Sequence, residues 1–170
     1  MTTYRQIAAR LIRDGEGVVK VGHAHVVYDD ATGKPIRAGD TLIGHPTLGF
    51  GRNLSGKGIE DDEAEALLAV DLVDCEDIAR GFIGGQVWLA LGDARRAVLI
   101  DMAHNMGPTR LYGFVKLRAA IQRQDWRAAA AEIEDSAYCR QVKRRGIRNR
   151  DIMRTGHIET AGIPSEEWSE

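Results

Sequence analysis

Four carboxylates flank one short stretch near the amino terminus. Asp14 and Glu16 stand at one end of DGEGVVKVGHAHVVYDDATG, and Asp29 and Asp30 at the other. Two separated carboxyl groups are what hydrolysis of a glycosidic bond needs. One, protonated, donates to the leaving oxygen, and the other, ionised, positions a water or attacks directly. A Glu at a helix end against an apolar interface is kept protonated by burial, whereas an Asp on a wet β-turn stays ionised. Glu16 lies at a helix–glycine boundary and Asp29 and Asp30 lie in a turn, so the sequence offers this asymmetry. The same residues also read as an acidic helix end and an Asx-turn, because Asp and Gly are common turn residues. Spacing alone leaves both readings open, and leaves open which of Asp29 and Asp30 would act.

Three further groups of residues could carry chemistry. In GHPTLGFGRNL, Gly49 and Gly51 alternate with Leu48 and Phe50, the pattern of a strand with close backbone approach. No βαβ unit surrounds this GxG, so it is a weak nucleotide signal. Thr47 beside it offers a hydroxyl that can hold a water, or is an ordinary strand threonine. His23 and His25 alternate on an expected strand and would share a face, but no third ligand accompanies them, so no metal is expected. The run YCRQVKRRGIRNRD carries Arg140, Lys143, Arg144, Arg145, Arg148 and Arg150. Such a run is either a solvated or packed helix face or a polyanion site.

The elements that must position these residues follow from composition and periodicity. A chain of 170 residues, 44% hydrophobic and 28% charged, suits one globular domain with a sizeable core. No apolar run approaches the roughly 18 residues of a membrane span, and the first residues lack the apolar segment of a secretory signal. Cys75 and Cys139 have neither metal-ligand nor disulfide-framework spacing and read as reduced thiols. The net charge of −2 gives no global argument for nucleic acid, and the basic run lacks stacking aromatics.

Ile7, Ala8, Leu11 and Ile12 place one apolar face on a helix over about residues 4–14, which Gly15 and Gly17 end. From about 18 to 57, β-branched and aromatic residues alternate with turn clusters, predicting a small antiparallel sheet of hairpins with too few large apolar residues for a core of its own. From about 61 to 160 the pattern is helical. Asp61 or Asp62 caps the first helix, Gly84 and Gly85 end it, Asp93 caps the next and Gly107 ends that. Two more helices follow, LYGFVKLRAAIQRQ and DWRAAAAEIEDSAYCRQV, parted at Gln124–Asp125, then GIRNRDIMRTG, with the tail AGIPSEEWSE lying over the surface. The expected architecture is α+β: a β lobe and a larger helical lobe in one catalytic domain spanning 1–170, the N-terminal helix packing with the helical lobe and a cleft at the junction.

Taken in order, RLIRDGEG, VYDDATG, PTLGFGRNL, GIEDDEAEALL, ARRAVLIDMAHNMG, LYGFVKLRAAIQRQDWRAAAAEI and DSAYCRQVKRRGIRNRDIMRTG resemble the phage-type lysozymes of glycoside hydrolase family 24. The most specific pieces are the Glu-Gly, the Tyr-x-Asp, the Thr-x-Gly-x-Gly and the Arg-Thr-Gly. The resemblance implies a lysozyme-like two-lobed fold and an endolysin muramidase cleaving the β-1,4 bond between N-acetylmuramic acid and N-acetylglucosamine with inversion, for host cell lysis. It makes Glu16 the catalytic acid, Asp30 the carboxylate and Thr47 the residue that helps place the attacking water. Arg145 matches an arginine that approaches the Glu from the helical lobe. Asn53, His104 and Glu132 stand where the family carries glycan-contacting residues of other types. The implied partner is the peptidoglycan glycan strand, met by a monomer without cofactor, metal, nucleic acid or stable membrane association. The implied route is accumulation in the host cytoplasm and holin-dependent access to the periplasmic wall. The interval from Glu16 to Asp30 exceeds the family's usual spacing, with VGHAHV as the excess, and the segment from Asp30 to Thr47 is also long. A lytic transglycosylase on the same polymer and a non-catalytic glycan-binding module are the alternatives.

Overall fold

A computed structural model of the chain describes residues 4–16 and 18–159. Within them the protein is α+β and falls into two units, Met1–Ala64 and Glu65–Glu170. The expected helix terminator Gly17 and the tail from Ala161 lie outside the described residues.

The first unit begins with α1 (Tyr4–Gly15), whose apolar side chains Ile7, Leu11 and Ile12 are exposed; no residue of it is buried. Six short strands follow: β1 (Lys20–Val21), β2 (Ala24–His25), β3 (Tyr28–Asp29), β4 (Lys34–Pro35), β5 (Pro46–Leu48) and β6 (Arg52–Asn53). They form two antiparallel sheets rather than one. β1 pairs only with β2, and a four-stranded sheet runs in the order β4-β3-β5-β6. Its register sets Tyr28 opposite both Pro35 and Thr47, and Thr47 opposite Asn53. The expected poverty of this region in core is plain: Tyr28 is its one buried large hydrophobic residue, joined by the buried polar Asp29 and Thr47. Hydrogen bonds and ion pairs do much of the holding. Arg52 reaches from β6 to the Gly58 carbonyl and to the Glu63 carboxylate, which also accepts from the Glu60 N–H.

The second unit takes α2 (Asp61–Ile83) beyond its first turn, then α3 (Gly85–Ala90), α4 (Asp93–Tyr112), α5 (Val115–Gln122), α6 (Trp126–Glu134), α7 (Ala137–Val142) and α8 (Arg144–Thr155). Its core gathers Phe82, Ile83, Val98, Leu99, Met102, Leu111, Leu117, Ile121, Ile133 and Met153, all essentially free of solvent. Each such side chain contributes about 1.5–3 kcal/mol by leaving water. Arg95 stacks on the Trp126 ring at 4.0 Å and donates from Nε to the Met153 carbonyl at 2.9 Å, tying α4, α6 and the end of α8. Arg150 bridges Glu134 of α6 and Asp151 of α8. No helix among the described residues is long and apolar enough to cross a membrane.

Some boundaries differ from the sequence expectation, each for a local reason. Asp93 is the first residue of α4 and not its cap; Gly92 occupies the cap position, and Asp93 instead pairs with Arg96. Gly107 ends a helix as expected: its backbone is non-helical, φ 71° and ψ 173°, so the α4 range holds two helices, and Pro108 opens the second, where a missing N–H is harmless. The expected single helix over DWRAAAAEIEDSAYCRQV breaks at Ser136, whose hydroxyl accepts the Cys139 N–H and starts α7. Asp125 caps α6 as expected, accepting from Ala128. A short helix not expected from the sequence, α3, lies between Gly84 and Leu91. Cys75 and Cys139 are both buried and free.

Candidate active site

Glu16 follows α1 directly, its N–H still donating to the Ile12 carbonyl at 2.8 Å. Its side chain is exposed. The residue sits past the last helical turn, in a bend. The two adjacent aspartates at the end of β3 have opposite fates. Asp29 is buried, and its carboxylate accepts from the N–H groups of Ile43 at 2.7 Å, Ala31 at 2.9 Å and Gly44 at 3.0 Å. The Ile43 N–H does most to hold this carboxyl below the usual Asp range; burial opposes it, and the N–H groups of Ala31, Gly44 and Thr32 add to it. Asp30 is exposed, and one of its oxygens accepts the His45 N–H at 2.7 Å, while its own N–H donates back to the His45 carbonyl at 3.1 Å.

Thr47, on β5, is buried beside them and donates its hydroxyl proton to the His45 carbonyl at 3.2 Å, leaving oxygen lone pairs to accept. Glu16, Asp30 and Thr47 line one open recess of about 470 Å³, with Val18, Val19, Tyr28, Gly33 and Gly51. Asp29 is not among its lining residues. It borders a different recess, formed with the Lys34–Ile43 segment, where its oxygens are already taken by backbone donors.

VGHAHV folds out as a hairpin of its own. β1 and β2 pair across Gly22 and His23, separate from the four-stranded sheet, so the added residues leave Asp30 beside Glu16 in the recess. This corrects the expectation for the histidines: His23 occupies the turn, and only His25 is on the strand, its ring 5.5 Å from that of Phe50. Among the described residues no cluster could hold a metal ion.

In the helical unit, Arg145 of α8 is held by Asp101 of α4. Its Nε donates to both carboxylate oxygens at 2.9 and 3.1 Å, and its Nη2 lies 2.7 Å from one of them. The Asn149 amide donates to Asp101 and to the Tyr138 hydroxyl, which itself donates to Asp101 at 3.2 Å. Burial pushes the Asp101 carboxyl up, but the hydrogen bonds of Arg145 and Asn149 and the charges of Arg145 and Arg148 outweigh it and hold the group below the usual range. Burial and the Asp101 charge raise the Tyr138 hydroxyl.

Replacement of Asp101 by Ala leaves a guanidinium and a buried amide without their acceptor, and a loss of about 3 kcal/mol is expected in urea unfolding. The sign of its pH dependence follows from the lowered carboxyl. Its stabilisation is complete above the ordinary Asp pKa of about 3.9 and is lost as pH falls through the lower folded value. The variant should therefore approach the parent in stability in acid; an equal deficit at neutral pH and in acid would contradict this account.

With these geometries in place, the Phage lysozyme family model matches residues 7–153. The chain belongs to the phage lysozyme family. It is 29% identical over 153 residues to the pre-baseplate central spike protein Gp5 of Enterobacteria phage T4, an alignment covering 88% of this chain and 26% of that protein. The chain thus spans about a quarter of the spike protein's length. It is 25% identical over 150 residues to the probable T4-type lysozyme 1 of Dictyostelium discoideum, covering 87% of each.

Within this phage lysozyme frame, the residues singled out from sequence fall in three places. Glu16, Asp30 and Thr47 come together in the β-bearing unit. Asn53, on β6 of the same unit, spends its side-chain oxygen on the Gly56 N–H at 2.8 Å. Arg145, His104 and Glu132 belong to the helical unit, His104 exposed on α4 and Glu132 half-buried on α6. Much of the basic run is packed rather than free: Arg145 and Arg148 face Asp101, Arg150 bridges Glu134 and Asp151, and Arg140 donates to the Asp135 carbonyl. Asp101, the partner of Arg145, is not among the residues expected from sequence. Its signal was present as a lone carboxylate in the apolar run VLIDMA, a position that a helix core tolerates only when paired.

Proposed function

We propose that this member of the phage lysozyme family is a muramidase that hydrolyses the β-1,4 bond between N-acetylmuramic acid and N-acetylglucosamine in bacterial peptidoglycan, with inversion. The observation that carries the reading is the shared recess of Glu16, Asp30 and Thr47. Glu16, protonated, gives its proton to the glycosidic oxygen as the bond to the anomeric carbon breaks. Asp30, ionised and wet, takes a proton from a water that the Thr47 oxygen helps to orient, and the water oxygen bonds to the anomeric carbon from the opposite face. The products are a free 4-hydroxyl and a new reducing end, and solvent returns both carboxyl groups to their starting states. Arg145 is included as a supporting cation, and Asn53, His104 and Glu132 as glycan contacts. A monomer acting on the host wall for lysis, produced in the host cytoplasm and reaching the periplasm through a holin, completes the proposal.

Digestion of purified sacculi tests it through the products. Mass spectrometry should show reducing muramic acid ends, and proton NMR early in the digest should show the α-anomer first. Anhydromuramic ends would instead identify a lytic transglycosylase. Binding to sacculi with no released fragments would make the chain a non-catalytic glycan-binding module.

A further inference from the structure

We infer that Gly51 is a positioning residue for Glu16, the backbone surface that keeps its carboxylate in the recess; this rests on the reading of Glu16 as the acid. The turn between β5 and β6 is Gly49–Phe50–Gly51, and both glycines have left-handed backbone, φ 63° and φ 80°. In backbone terms they are near equals. In their surroundings they are not. A β-carbon on Gly49 would meet nothing within 4 Å, whereas one on Gly51 would stand 2.8 Å from Glu16 Oε2, 3.0 Å from its Cδ and 3.4 Å from Oε1. The Glu16 carboxyl therefore lies in the space that any side chain at 51 would fill.

The turn itself is anchored on both sides. Phe50 has the His25 ring at 5.5 Å and the Arg13 guanidinium at 5.6 Å from its own centroid, while Arg52 is fixed by Gly58 and Glu63. The anchors come from the last turn of α1, from the added hairpin and from the segment leading into α2. The VGHAHV excess thus supplies one of the contacts that hold this turn against Glu16. A glycine used for close backbone approach, on a turn fixed from several directions, sets where a flexible and exposed carboxylate can rest.

Only the end of a flexible side chain must move to admit a methyl group at 51, so Gly51→Ala is expected to fold. Its melting temperature should fall about as far as that of Gly49→Ala, because both place alanine in the same strained region. Activity separates them. On soluble glycan strands prepared from peptidoglycan, Gly51→Ala should lose about a hundredfold in kcat with KM nearly unchanged, the scale of a displacement of about 1 Å at a reacting group. Gly49→Ala should stay within about threefold of the parent.

Equal kcat values for the two alanine variants, with Glu16→Gln inactive, would overturn the role of Gly51 and leave that of Glu16 standing. Full activity of Glu16→Gln would remove both. If Gly51→Ala does not fold, adding Glu16→Ala must restore folding, since the colliding carboxyl is gone; a double variant that stays unfolded overturns the inference.

Discussion

Glu16→Gln is expected to lower peptidoglycan hydrolysis by at least about a hundredfold, the lower range for loss of a general acid. The amide keeps the size of the side chain but has no proton to give to the leaving oxygen. Because Glu16 is exposed and follows the last turn of α1, the change should leave the fold nearly untouched, within about 0.5 kcal/mol. Turbidity loss of outer-membrane-permeabilised Gram-negative cells, read beside a thermal melt, makes the comparison. A large loss of activity at constant melting temperature is the signature of chemistry. Full activity would redirect attention to Asp14, the other carboxylate at this helix end.

The second large effect is a contrast between neighbours. Asp30→Asn is expected to reduce hydrolysis by about a hundredfold or more, since a neutral amide neither takes the proton of the attacking water nor answers the positive charge of the transition state. Its stability should change little, because the amide oxygen can still accept the His45 N–H. Asp29→Asn should do the reverse. Both oxygens of Asp29 accept backbone N–H groups, and an amide places an NH₂ against one of those donors.

The variant should melt at lower temperature while retaining activity per folded molecule. Its acid behaviour carries a sign as well. The Asp29 carboxyl is held below its ordinary value, so its stabilisation is present above the unfolded pKa of about 3.9 and disappears as pH falls through the folded one. The gap between parent and Asp29→Asn should therefore close in acid. Asn variants with exchanged phenotypes, stability lost at 30 and activity lost at 29, would reverse the assignment.

What can be read without a structure is what depends on neighbours along the chain. The apolar stripe of Ile7, Leu11 and Ile12, the turn clusters from Val18 to Leu54 and the helical spacing after Asp61 mark out an α+β chain because periodicity and glycine act locally. Asp125 as a cap is legible for the same reason. The order of motifs, from the Glu-Gly to the Thr-x-Gly-x-Gly, is enough to point to the family and to Glu16, Asp30 and Thr47.

Which of Asp29 and Asp30 is buried and which lines the recess with Glu16 is a different kind of fact. Asp29 is the last residue of β3 and Asp30 the first of the turn after it, and the local pattern does not say which of the two is buried. That depends on a loop that returns from Ile36 to His45 and spends the N–H groups of Ile43 and Gly44 on Asp29. The destination of VGHAHV is equally non-local, since a hairpin that pairs with itself and one that extends the sheet have the same local pattern. The partnership of Arg145 with Asp101 joins helices α4 and α8, and the closeness of Gly51 to Glu16 joins a turn to a helix end. Residue type and spacing determined which groups could do chemistry here. Only tertiary structure decided which carboxylates face a recess and which are consumed by backbone donors, because burial and hydrogen bonding are settled by segments distant in sequence.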